Sequence, residues 1–342
     1  MKTIRTVLCN EISADIGDVE LVEVELPAPG LDEVQIVLKA TSVNFTDLLM
    51  IQGKYQFKPP LPFAPGTEAA GDVVAIGEDV KDCKPGDRVV LGMRFGGFAE
   101  AVNVPAQSVR PIPGAMTYAQ AAAYGSGYST AYVALVRRGY LEAGETLLVH
   151  GATGGIGMAA VDLGKKLGAK VIATGGRDDK LAVVASRGAD HVINYTQPDG
   201  SLGGFREEVK ALTGGKGADV IFDPVGGDVF DESMRCINWN GRILTIGFTS
   251  GRWPQAPVNL ILIKSISVIG VRAGEFGRRD PTKGRENARA LSAMAERGEL
   301  NPHVCAGFPL EEAVAAMRML ENREAVGKVV INMNGYTFES AA

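Results

Sequence analysis

The chain has 342 residues, of which 46% are hydrophobic and 22% charged, enough for two domains that each bury a core. Its formal net charge is −5, and this acidic balance gives no electrostatic reason to expect nucleic acid or an anionic membrane as a partner. No apolar run reaches the roughly 18 residues that a transmembrane helix needs, so no membrane span is expected.

The cysteines and the opening residues indicate the compartment. The stretch MKTIRTVLCNEISAD acquires acids before any long apolar segment forms, which is not typical of a secretory signal. The cysteines lie far apart and form no CxxC pair, which argues against a disulfide framework or a structural zinc knuckle. We interpret them as small buried apolar residues and expect a cytoplasmic protein. They are Cys9, Cys83, Cys236 and Cys305.

The first third of the chain is rich in short strand-like runs. Val, Ile and Leu are frequent in residues 19–26, 33–43, 71–77, 87–92 and 98–105. The turn-forming stretches PAPG, KPPLP, KPGD and PIPG lie between or beside these runs. Short strands at short spacing, with turn residues around them, predict a compact β barrel or sandwich.

The pattern changes near Thr117. Residues 117–139 are rich in alanine and carry apolar residues at helical spacing, which predicts one or two helices. Strand-like and helix-like segments then alternate from ETLLVHGA to GRILTIGF, which predicts βαβ units and a parallel sheet. Beyond about residue 275 the sequence predicts two helices and a last strand, which we expect to return to the first domain.

A glycine-rich loop, ATGGIG at residues 152–157, follows a strand and opens a helix. Gly154 and Gly157 fit the second and third glycines of G-x-G-x-x-G, and Ala152 replaces the first. Gly154 would let a pyrophosphate approach the backbone, and Gly157 would let the helix pack on the strand. Within a βαβ region this motif predicts dinucleotide binding, and the alternative is a tight turn without a ligand. The expected cofactor contacts are Ala152, Thr153, Gly154, Gly155 and Ile156.

The second strand of the predicted parallel sheet indicates which dinucleotide binds. It ends in VIATGGRDDK, with Gly175 and Gly176 where NAD-binding proteins usually carry an acid. Without that acid, a 2′-phosphate meets no repulsion, and Arg177 can pair with it through its planar fork. We therefore predict NADP(H), contacted by Gly175, Arg177 and Lys180. Alternatively, Arg177 and Lys180 form a solvated helix start that Asp178 caps.

Several motifs together resemble the medium-chain dehydrogenase/reductase superfamily. GTEAAGDVVAIGEDVKDCKPGDRVV (66–90) resembles its signature, and the glycine loop follows at a compatible distance. FDPVGG (222–227), RILTIGFTSG (242–251) and GKVVI (327–331) are similar to the zinc-free quinone oxidoreductase branch. The resemblance covers essentially the whole chain.

The resemblance implies an α/β protein of two domains. A GroES-like β barrel catalytic domain would comprise residues 1–125 and 270–342, and a Rossmann domain with a doubly wound parallel sheet would comprise residues 126–269 and bind NADP(H). The active site would lie in the cleft between them. Such relatives dimerise through the edge of the Rossmann sheet, at the position of ISVIGV (266–271), so a homodimer is expected.

The chain departs from the zinc-dependent members of this superfamily. They carry a cysteine near residues 42–47 and a histidine just before the glutamate, where this chain has Asn44 and Thr67. We therefore expect no metal and interpret Glu68 as a structural brace. Without zinc, alcohol oxidation is not expected. Hydride transfer from NADPH to quinones or other α,β-unsaturated carbonyl compounds is still possible, since these acceptors are already activated. The histidines form no ligand cluster; they are His150, His191 and His303.

The resemblance also implies site residues. Asn44 matches an asparagine that approaches nicotinamide and substrate, although it can instead stabilise a turn. Tyr55 matches the proton-donating tyrosine of enoyl-thioester reductases, although it can instead pack on the proline-rich loop. Asp47 is interpreted as a helix cap. The further cofactor contacts implied by the family are Thr130, Tyr195, Gly247, Phe248 and Ser250.

Three functions stay open on the sequence. The first is a zinc-independent NADPH-dependent reductase of quinones or enones. The second is an enoyl-thioester reductase, for which Arg278 and Arg279 would form a cationic entrance unless they are simply solvated. The third belongs to another class, namely an NADPH-binding sensor or structural protein whose catalysis is vestigial.

Overall fold

The structure, a computed structural model, describes residues 2–338. It divides into two compact units: unit 1 runs to Ser126 and resumes at Pro302, and unit 2 comprises Gly127–Asn301. No helix within the described residues is both long enough and apolar enough to cross a bilayer.

Both units are built on strands. In chain order the strands are β1 (Lys2–Leu8), β2 (Glu20–Leu26), β3 (Glu33–Val43), β4 (Glu68–Ile76), β5 (Arg88–Gly92), β6 (Ala101–Pro105), β7 (Val109–Pro111), β8 (Thr146–Val149), β9 (Lys170–Gly175), β10 (His191–Asn194), β11 (Ala218–Asp223), β12 (Ile237–Thr245), β13 (Ser267–Gly270), β14 (Val304–Pro309) and β15 (Lys328–Asn332).

Helices connect most strands of unit 2 and fewer of unit 1. They are α1 (Phe45–Ile51), α2 (Tyr118–Tyr132), α3 (Gly155–Lys166), α4 (Asp178–Ser186), α5 (Phe205–Leu212), α6 (Gly227–Cys236), α7 (Val258–Lys264), α8 (Ala273–Arg279), α9 (Pro281–Glu296) and α10 (Ala313–Glu321). The alanine-rich stretch forms α2 and continues as a π-helical segment, Val133–Arg138.

Unit 1 is organised around β3. Burial alternates along this strand, with Val34, Ile36 and Leu38 buried, as the period of two requires. The sheet order is β14-β15-β3-β4-β5-β7, and β6 also pairs with β3. The last strand, β15, runs antiparallel to β3, which confirms that the chain returns to the first domain. The sequence analysis did not predict β14, whose CAG sequence has little strand propensity.

Unit 2 has the parallel sheet that the alternating pattern predicts. Its strand order is β10-β9-β8-β11-β12-β13, and all five pairings are parallel. The chain adds strands outward in one direction from β8 to β10 and in the other from β11 to β13. The order therefore reverses between β8 and β11, and β13 lies at a sheet edge, as expected for ISVIGV.

Residues 270–301 belong to unit 2, whereas the sequence analysis assigned them to the first domain. Two contacts explain the difference. β13, which ends at residue 270, pairs with β12, and Asn287 on α9 accepts a hydrogen bond from Arg137 Nε at 2.8 Å. A helix pattern shows that a helix forms but not which core it packs on.

His150, which had no role in the sequence analysis, joins three elements of unit 2. Its Nδ1 lies 2.8 Å from Thr174 Oγ1 on β9, and its Nε2 lies 2.8 Å from Ser233 Oγ on α6. The ring is fully buried 4.9 Å from that of Phe205, and burial lowers the pKa of His150 to about 3. It is a neutral structural link.

Candidate functional site

Unit 1 contains a buried ion pair. Lys328 Nζ lies 2.8 Å from Glu68 Oε1, with the two side chains only 7% and 3% exposed. The ammonium also donates to Asn44 Oδ1 at 2.6 Å. Asn44 Nδ2 donates to Glu68 Oε1 at 3.0 Å, and Ser126 N donates to Glu68 Oε2 at 2.7 Å. Buried charges need such partners, and both oxygens of Glu68 have them. The bracing role expected for Glu68 is what the structure shows.

Three neighbouring strands bring these side chains together. Glu68 opens β4, Lys328 opens β15, and Asn44 follows the last residue of β3, which lies between those two strands in the sheet. Thr67, just before β4, completes the set, because its Oγ1 accepts from Asn44 Nδ2 at 3.2 Å. We call these four residues the Glu68 network. The sequence analysis named three of them and missed Lys328.

Asn44 also precedes α1, but Asp47 supplies the cap. Asp47 Oδ2 accepts from the Asn44 N–H at 2.8 Å, and its Oδ1 accepts from the Gly66 N–H at 3.1 Å. Burial raises the pKa of Asp47 to about 7, although these two hydrogen bonds and nearby Lys328 oppose the rise. The helix begins at Phe45, earlier than predicted, with Asn44 rather than Asp47 at the N-cap position; Asp47 caps it from the third helical position. Because the carboxylate serves the helix, the Asn44 amide is left to the network.

The hydrogen-bonding capacity of Asn44 is nearly exhausted. An ammonium only donates and a carboxylate only accepts, so Oδ1 must face Lys328 and Nδ2 must face Glu68. The remaining N–H is shared between Thr67 Oγ1 at 3.2 Å and Ser42 O at 3.4 Å. Both donors are used, whereas Oδ1 keeps one lone pair. Asn44 can therefore contact a substrate or cofactor only as an acceptor of one hydrogen bond, at Oδ1.

The Glu68 network does not fit zinc. It offers one carboxylate, one amide and one hydroxyl, and the Lys328 ammonium already lies between the carboxylate and amide oxygens. Zinc sites in proteins are built from Cys, His and carboxylate ligands. Across residues 2–338, no three His, Cys, Asp or Glu side chains are grouped so as to hold a metal ion.

Tyr55 lies half-buried in the loop after α1 and packs against the core of unit 1. Phe57 in the same loop stacks on Phe95, with ring centroids 6.2 Å apart, and the Arg94 guanidinium lies 3.8 Å from the Phe57 centroid. The Tyr55 hydroxyl makes no hydrogen bond to another described residue. Packing is observed for Tyr55, and its role as a proton donor stays a prediction.

The glycine loop of unit 2 lies beside the reversal of strand order, where doubly wound sheets bind ligands. Gly151 has φ +56°, which favours glycine. A Cβ at Gly157 would lie 2.3 Å from Gly151 O, but a Cβ at Gly154 would lie 3.5 Å from that oxygen, an ordinary contact. Gly154 also has an unstrained φ of −84°. The fold therefore requires glycine at 151 and 157 but not at 154, where the space faces the N-terminus of α3.

The predicted contacts in this loop separate into two kinds. Ala152 is buried and its N–H donates to Thr174 O at 3.0 Å, so it is occupied by the fold. Half-exposed residues that remain open to a ligand are Thr153, Gly154, Gly155 and Ile156.

At the end of β9, the two cations predicted to contact the cofactor, Arg177 and Lys180, differ in their exposure to solvent. Arg177 is 62% exposed and lies 2.7 Å from Asp179. Solvent screens such an exposed pair, so it holds the guanidinium only weakly. Lys180 is buried and makes a contact within the protein, so it does not offer the open phosphate contact expected of it. Tyr195 N donates to Gly175 O at 3.0 Å, which holds Tyr195 beside this turn.

The loop after β12 also lies at the carboxyl edge of the sheet. Ser250 N donates to Val225 O at 3.0 Å, which joins this loop to the one after β11. Gly247 is half-exposed and Phe248 is exposed in the same loop. The three predicted contacts Gly247, Phe248 and Ser250 thus lie in a loop joined to the one that follows β11, the strand at the reversal of strand order.

Asp223, which ends β11 within the FDPVGG motif, is a residue of this edge that was not among the predicted contacts. Its Oδ1 accepts from Val225 N at 2.8 Å and Gly226 N at 2.9 Å. Its Oδ2 is buried without a partner among the residues described, and burial raises the pKa of Asp223 to about 6. An acid that ends an apolar parallel strand is the signal that marks it in the sequence.

Two further predictions concern helices of unit 2. Thr130 lies three residues after Gly127 on α2, and a Cβ at Gly127 would lie 3.4 Å from the backbone of the glycine loop, so this helical face lies against that loop. Arg278 and Arg279 both pair with Glu275 on α8. They are a solvated helical cluster rather than an open cationic entrance.

Comparison with known proteins extends these observations. Residues 30–114 match the family model described as alcohol dehydrogenase GroES-like domain, and residues 155–298 match the one described as zinc-binding dehydrogenase. The quinone oxidoreductase-like protein 2 homolog of Nematostella vectensis is 40% identical over 337 residues, covering 97% of this chain and 89% of that protein.

Solved structures include two informative neighbours. The Escherichia coli quinone oxidoreductase complexed with NADPH is 31% identical with a TM-score of 0.84, covering 96% of this chain and 99% of that one. The JamJ enoyl reductase in its apo form is 27% identical with a TM-score of 0.83, again covering 96% and 99%. Both resemble this chain over its two units.

Removing Lys328 should destabilise unit 1 strongly. Lys328→Met leaves the Glu68 carboxylate buried without its cation, which typically costs about 3–5 kcal/mol of unfolding free energy. Both tryptophans, Trp239 and Trp253, belong to unit 2, so their fluorescence does not report on unit 1. The measurement is therefore hydrogen–deuterium exchange of peptides from β4 and β15, which should exchange faster.

The matched control is the double variant Glu68→Gln/Lys328→Met, which removes both charges. It should recover most of the protection lost in the single variant. Equal protection in the single variant and the wild type would mean that the ion pair does not brace the strands.

Proposed function

Because the chain belongs to the medium-chain dehydrogenase/reductase superfamily, in its quinone oxidoreductase-like branch, we propose that it transfers hydride from NADPH to quinones or other α,β-unsaturated carbonyl compounds. The observation that carries the proposal is the Glu68 network, in which an ammonium lies between a carboxylate and an amide whose donors are committed. Thr67 is the member of the network whose hydroxyl has no acceptor among the described residues, so the network can offer one hydrogen bond to an already activated acceptor but no Lewis acid for an alcohol.

Unit 2 supports the cofactor part of the proposal. Gly154 is free of any steric demand from the fold, so its missing side chain suits a pyrophosphate approaching the first turn of α3. The free N–H groups of that turn would bind the anion. Thr153, Gly155 and Ile156 would line the same approach. The cofactor, when bound, supplies the hydride, and the chain supplies binding and orientation.

NADP(H) rather than NAD(H) is supported by the end of β9. The turn Gly175-Gly176 carries no carboxylate that would repel a 2′-phosphate. Arg177 is exposed, and its one ion-pair partner among the described residues is Asp179, so it can exchange that partner for a phosphate. Tyr195 is fixed beside this turn.

A second candidate is enoyl-thioester reduction. The Tyr55 hydroxyl, which has no partner among residues 2–338, favours it because an unoccupied phenol can donate a proton to a forming enolate. The similarity to an enoyl reductase structure also favours it. Against it, Arg278 and Arg279 are already paired with Glu275.

We also propose a homodimer in the cytoplasm. β13 is an edge strand, and α7 just before it exposes Val258 at 77% and Leu262 at 82%. An apolar edge of this kind needs cover, and a second copy of the same edge provides it. The four cysteines are free thiols, which suits a reducing compartment; subcellular fractionation tests that location directly.

The cofactor assignment predicts opposite results for two neighbouring glycines. Gly154→Ala should leave the thermal stability within about 0.5 kcal/mol of wild type, because its Cβ meets no short contact, but should weaken NADPH binding roughly tenfold. Gly157→Ala should destabilise the fold, since its Cβ would lie 2.3 Å from a backbone oxygen.

The preference between the two cofactors is tested separately. Calorimetric titration of the wild type should show tighter binding of NADPH than of NADH. Unchanged NADPH affinity in Gly154→Ala, or equal affinities for both cofactors, would contradict the assignment.

The reaction is tested by following NADPH absorbance with panels of quinones, enals and enoyl-thioesters. We expect turnover of about 1 s⁻¹ or faster on quinones or enals, with Tyr55→Phe within about twofold of wild type. Turnover on thioesters that Tyr55→Phe lowers about tenfold would establish the second candidate instead. NADPH binding without turnover on any panel would indicate an NADPH-binding sensor or structural protein whose catalysis is vestigial.

The dimer is tested with Leu262→Glu, which places a carboxylate on the exposed face of α7. Sedimentation at micromolar concentration should give a dimer for wild type and a monomer for this variant. Leu31→Glu, at an exposed leucine of unit 1, is the control and should remain dimeric. A wild-type monomer would rule the assembly out.

A further inference from the structure

We propose that the Thr67 hydroxyl is the donor that stabilises the oxyanion formed on the acceptor, and that Lys328 polarises this hydroxyl through the Asn44 amide. The inference rests on the proposed function and assigns roles that neither the sequence motifs nor the relatives' names supply. It identifies a specific hydrogen-bond donor for a reaction that proceeds without a metal.

The geometry forms a continuous chain of donors. Lys328 Nζ donates to Asn44 Oδ1 at 2.6 Å, and Asn44 Nδ2 donates to Thr67 Oγ1 at 3.2 Å. Since the Thr67 oxygen accepts this hydrogen bond, its own proton must point away from Asn44. That proton has no acceptor among the described residues. Thr67 is half-exposed, whereas Lys328 is buried, so Thr67 is the network member that can offer a donor to a bound molecule.

The amide of Asn44 can transmit polarisation. A hydrogen bond accepted at a carbonyl oxygen draws charge from the amide nitrogen and strengthens the bonds that its N–H groups donate, and such chains are cooperative at low dielectric. The strengthened bond at Thr67 Oγ1 in turn makes the hydroxyl a better donor. Glu68 accepts from both Lys328 and Asn44, so its charge offsets the ammonium at long range. The effect on Thr67 therefore travels through the hydrogen bonds rather than through the field of an isolated cation.

Thr67 is also held in place more firmly than Tyr55, whose hydroxyl likewise makes no hydrogen bond to another described residue. The Thr67 carbonyl accepts from Met93 N at 2.9 Å, and the next residue, Glu68, is fixed by the ion pair. Tyr55 lies in a loop and is held by packing. A donor stabilises a developing charge best when it does not need to reorient.

The chemical step balances as follows. Hydride addition at the electrophilic carbon moves the π electrons of the acceptor onto its carbonyl oxygen, so the acceptor is reduced and NADPH is oxidised to NADP⁺. The Thr67 O–H donates a hydrogen bond to that oxyanion but keeps its proton, since a hydroxyl is a far weaker acid than the enol or phenol that forms. The proton that completes the product comes from water.

The test compares variants that remove the hydroxyl from one of two threonines. Thr67→Val should lower kcat roughly 100-fold, as loss of one oxyanion donor does elsewhere, while KM and the NADPH Kd stay within about threefold. Thr67→Ser should restore most of kcat. Thr41→Val is the matched control, because Thr41 Oγ1 is buried and donates to Glu68 O at 2.8 Å; it should keep kcat. Glu68→Gln/Lys328→Met, which removes both charges of the ion pair, should lower kcat about tenfold.

A second readout does not need turnover. With NADP⁺ bound, the wild type should lower the pKa of a bound nitrophenol, seen as growth of phenolate absorbance, and Thr67→Val should abolish this shift. No shift in wild type, or equal shifts in both proteins, overturns the role of Thr67.

The kinetic outcomes are separable. Absence of turnover in wild type counts against the proposed function, while the nitrophenol shift still tests Thr67. Turnover in wild type with kcat of Thr67→Val within about twofold overturns the Thr67 role and leaves the function standing. A Thr67→Ser variant as slow as Thr67→Val would show that the hydroxyl is not responsible. Wild-type kcat in the double variant would overturn the part assigned to Lys328.

Discussion

The buried contact between Lys328 and Glu68 is the interaction on which the site in unit 1 depends. Such a pair gives little net stability compared with well-packed apolar residues, because both ions lose their hydration. Its effect here is on orientation. The ammonium can bond only to the oxygen of the Asn44 amide, and the carboxylate only to its nitrogen. The pair therefore fixes the amide so that Nδ2, rather than Oδ1, points to Thr67. An apolar pair of similar volume would fill the space without specifying any direction.

Local patterns in the sequence were sufficient for most of the fold. The alternation along β3 and the strand–glycine–helix order around Gly154 are properties of contiguous residues, and both segments form as predicted. Local patterns cannot predict the role of Lys328, because its partners are 260 and 284 positions away in the chain. A signal for it does exist, namely a lysine that opens the apolar strand KVVIN. A charged residue that enters a buried strand needs a partner, but the sequence does not say which one.

Other differences arose where side-chain exposure decides the role. Arg177 and Lys180 look alike in the sequence, three residues apart around the start of α4, yet one is exposed and the other buried. A residue at the first turn of a helix can face either solvent or the sheet, and short spacing does not resolve which. Similarly, the glycine motif predicts both Ala152 and Gly154 as cofactor contacts. The structure distinguishes the two residues. The Ala152 N–H is already bonded to Thr174 O, whereas a Cβ at Gly154 would meet no short contact, so space for a ligand remains there.

The order in which the chain is made gives the Lys328 contact a further meaning. Unit 2 lies wholly inside the sequence of unit 1, so a ribosome delivers β3 and β4, then all of unit 2, and only afterwards β15. Until that last strand emerges, Glu68 has no cation and β3 lacks one of its neighbours. Unit 2, whose sheet is continuous in sequence, can fold first. A nascent chain that stops before Lys328 therefore carries an incomplete sheet in unit 1, in which the Glu68 carboxylate lacks its cation and β3 lacks β15 as a neighbour.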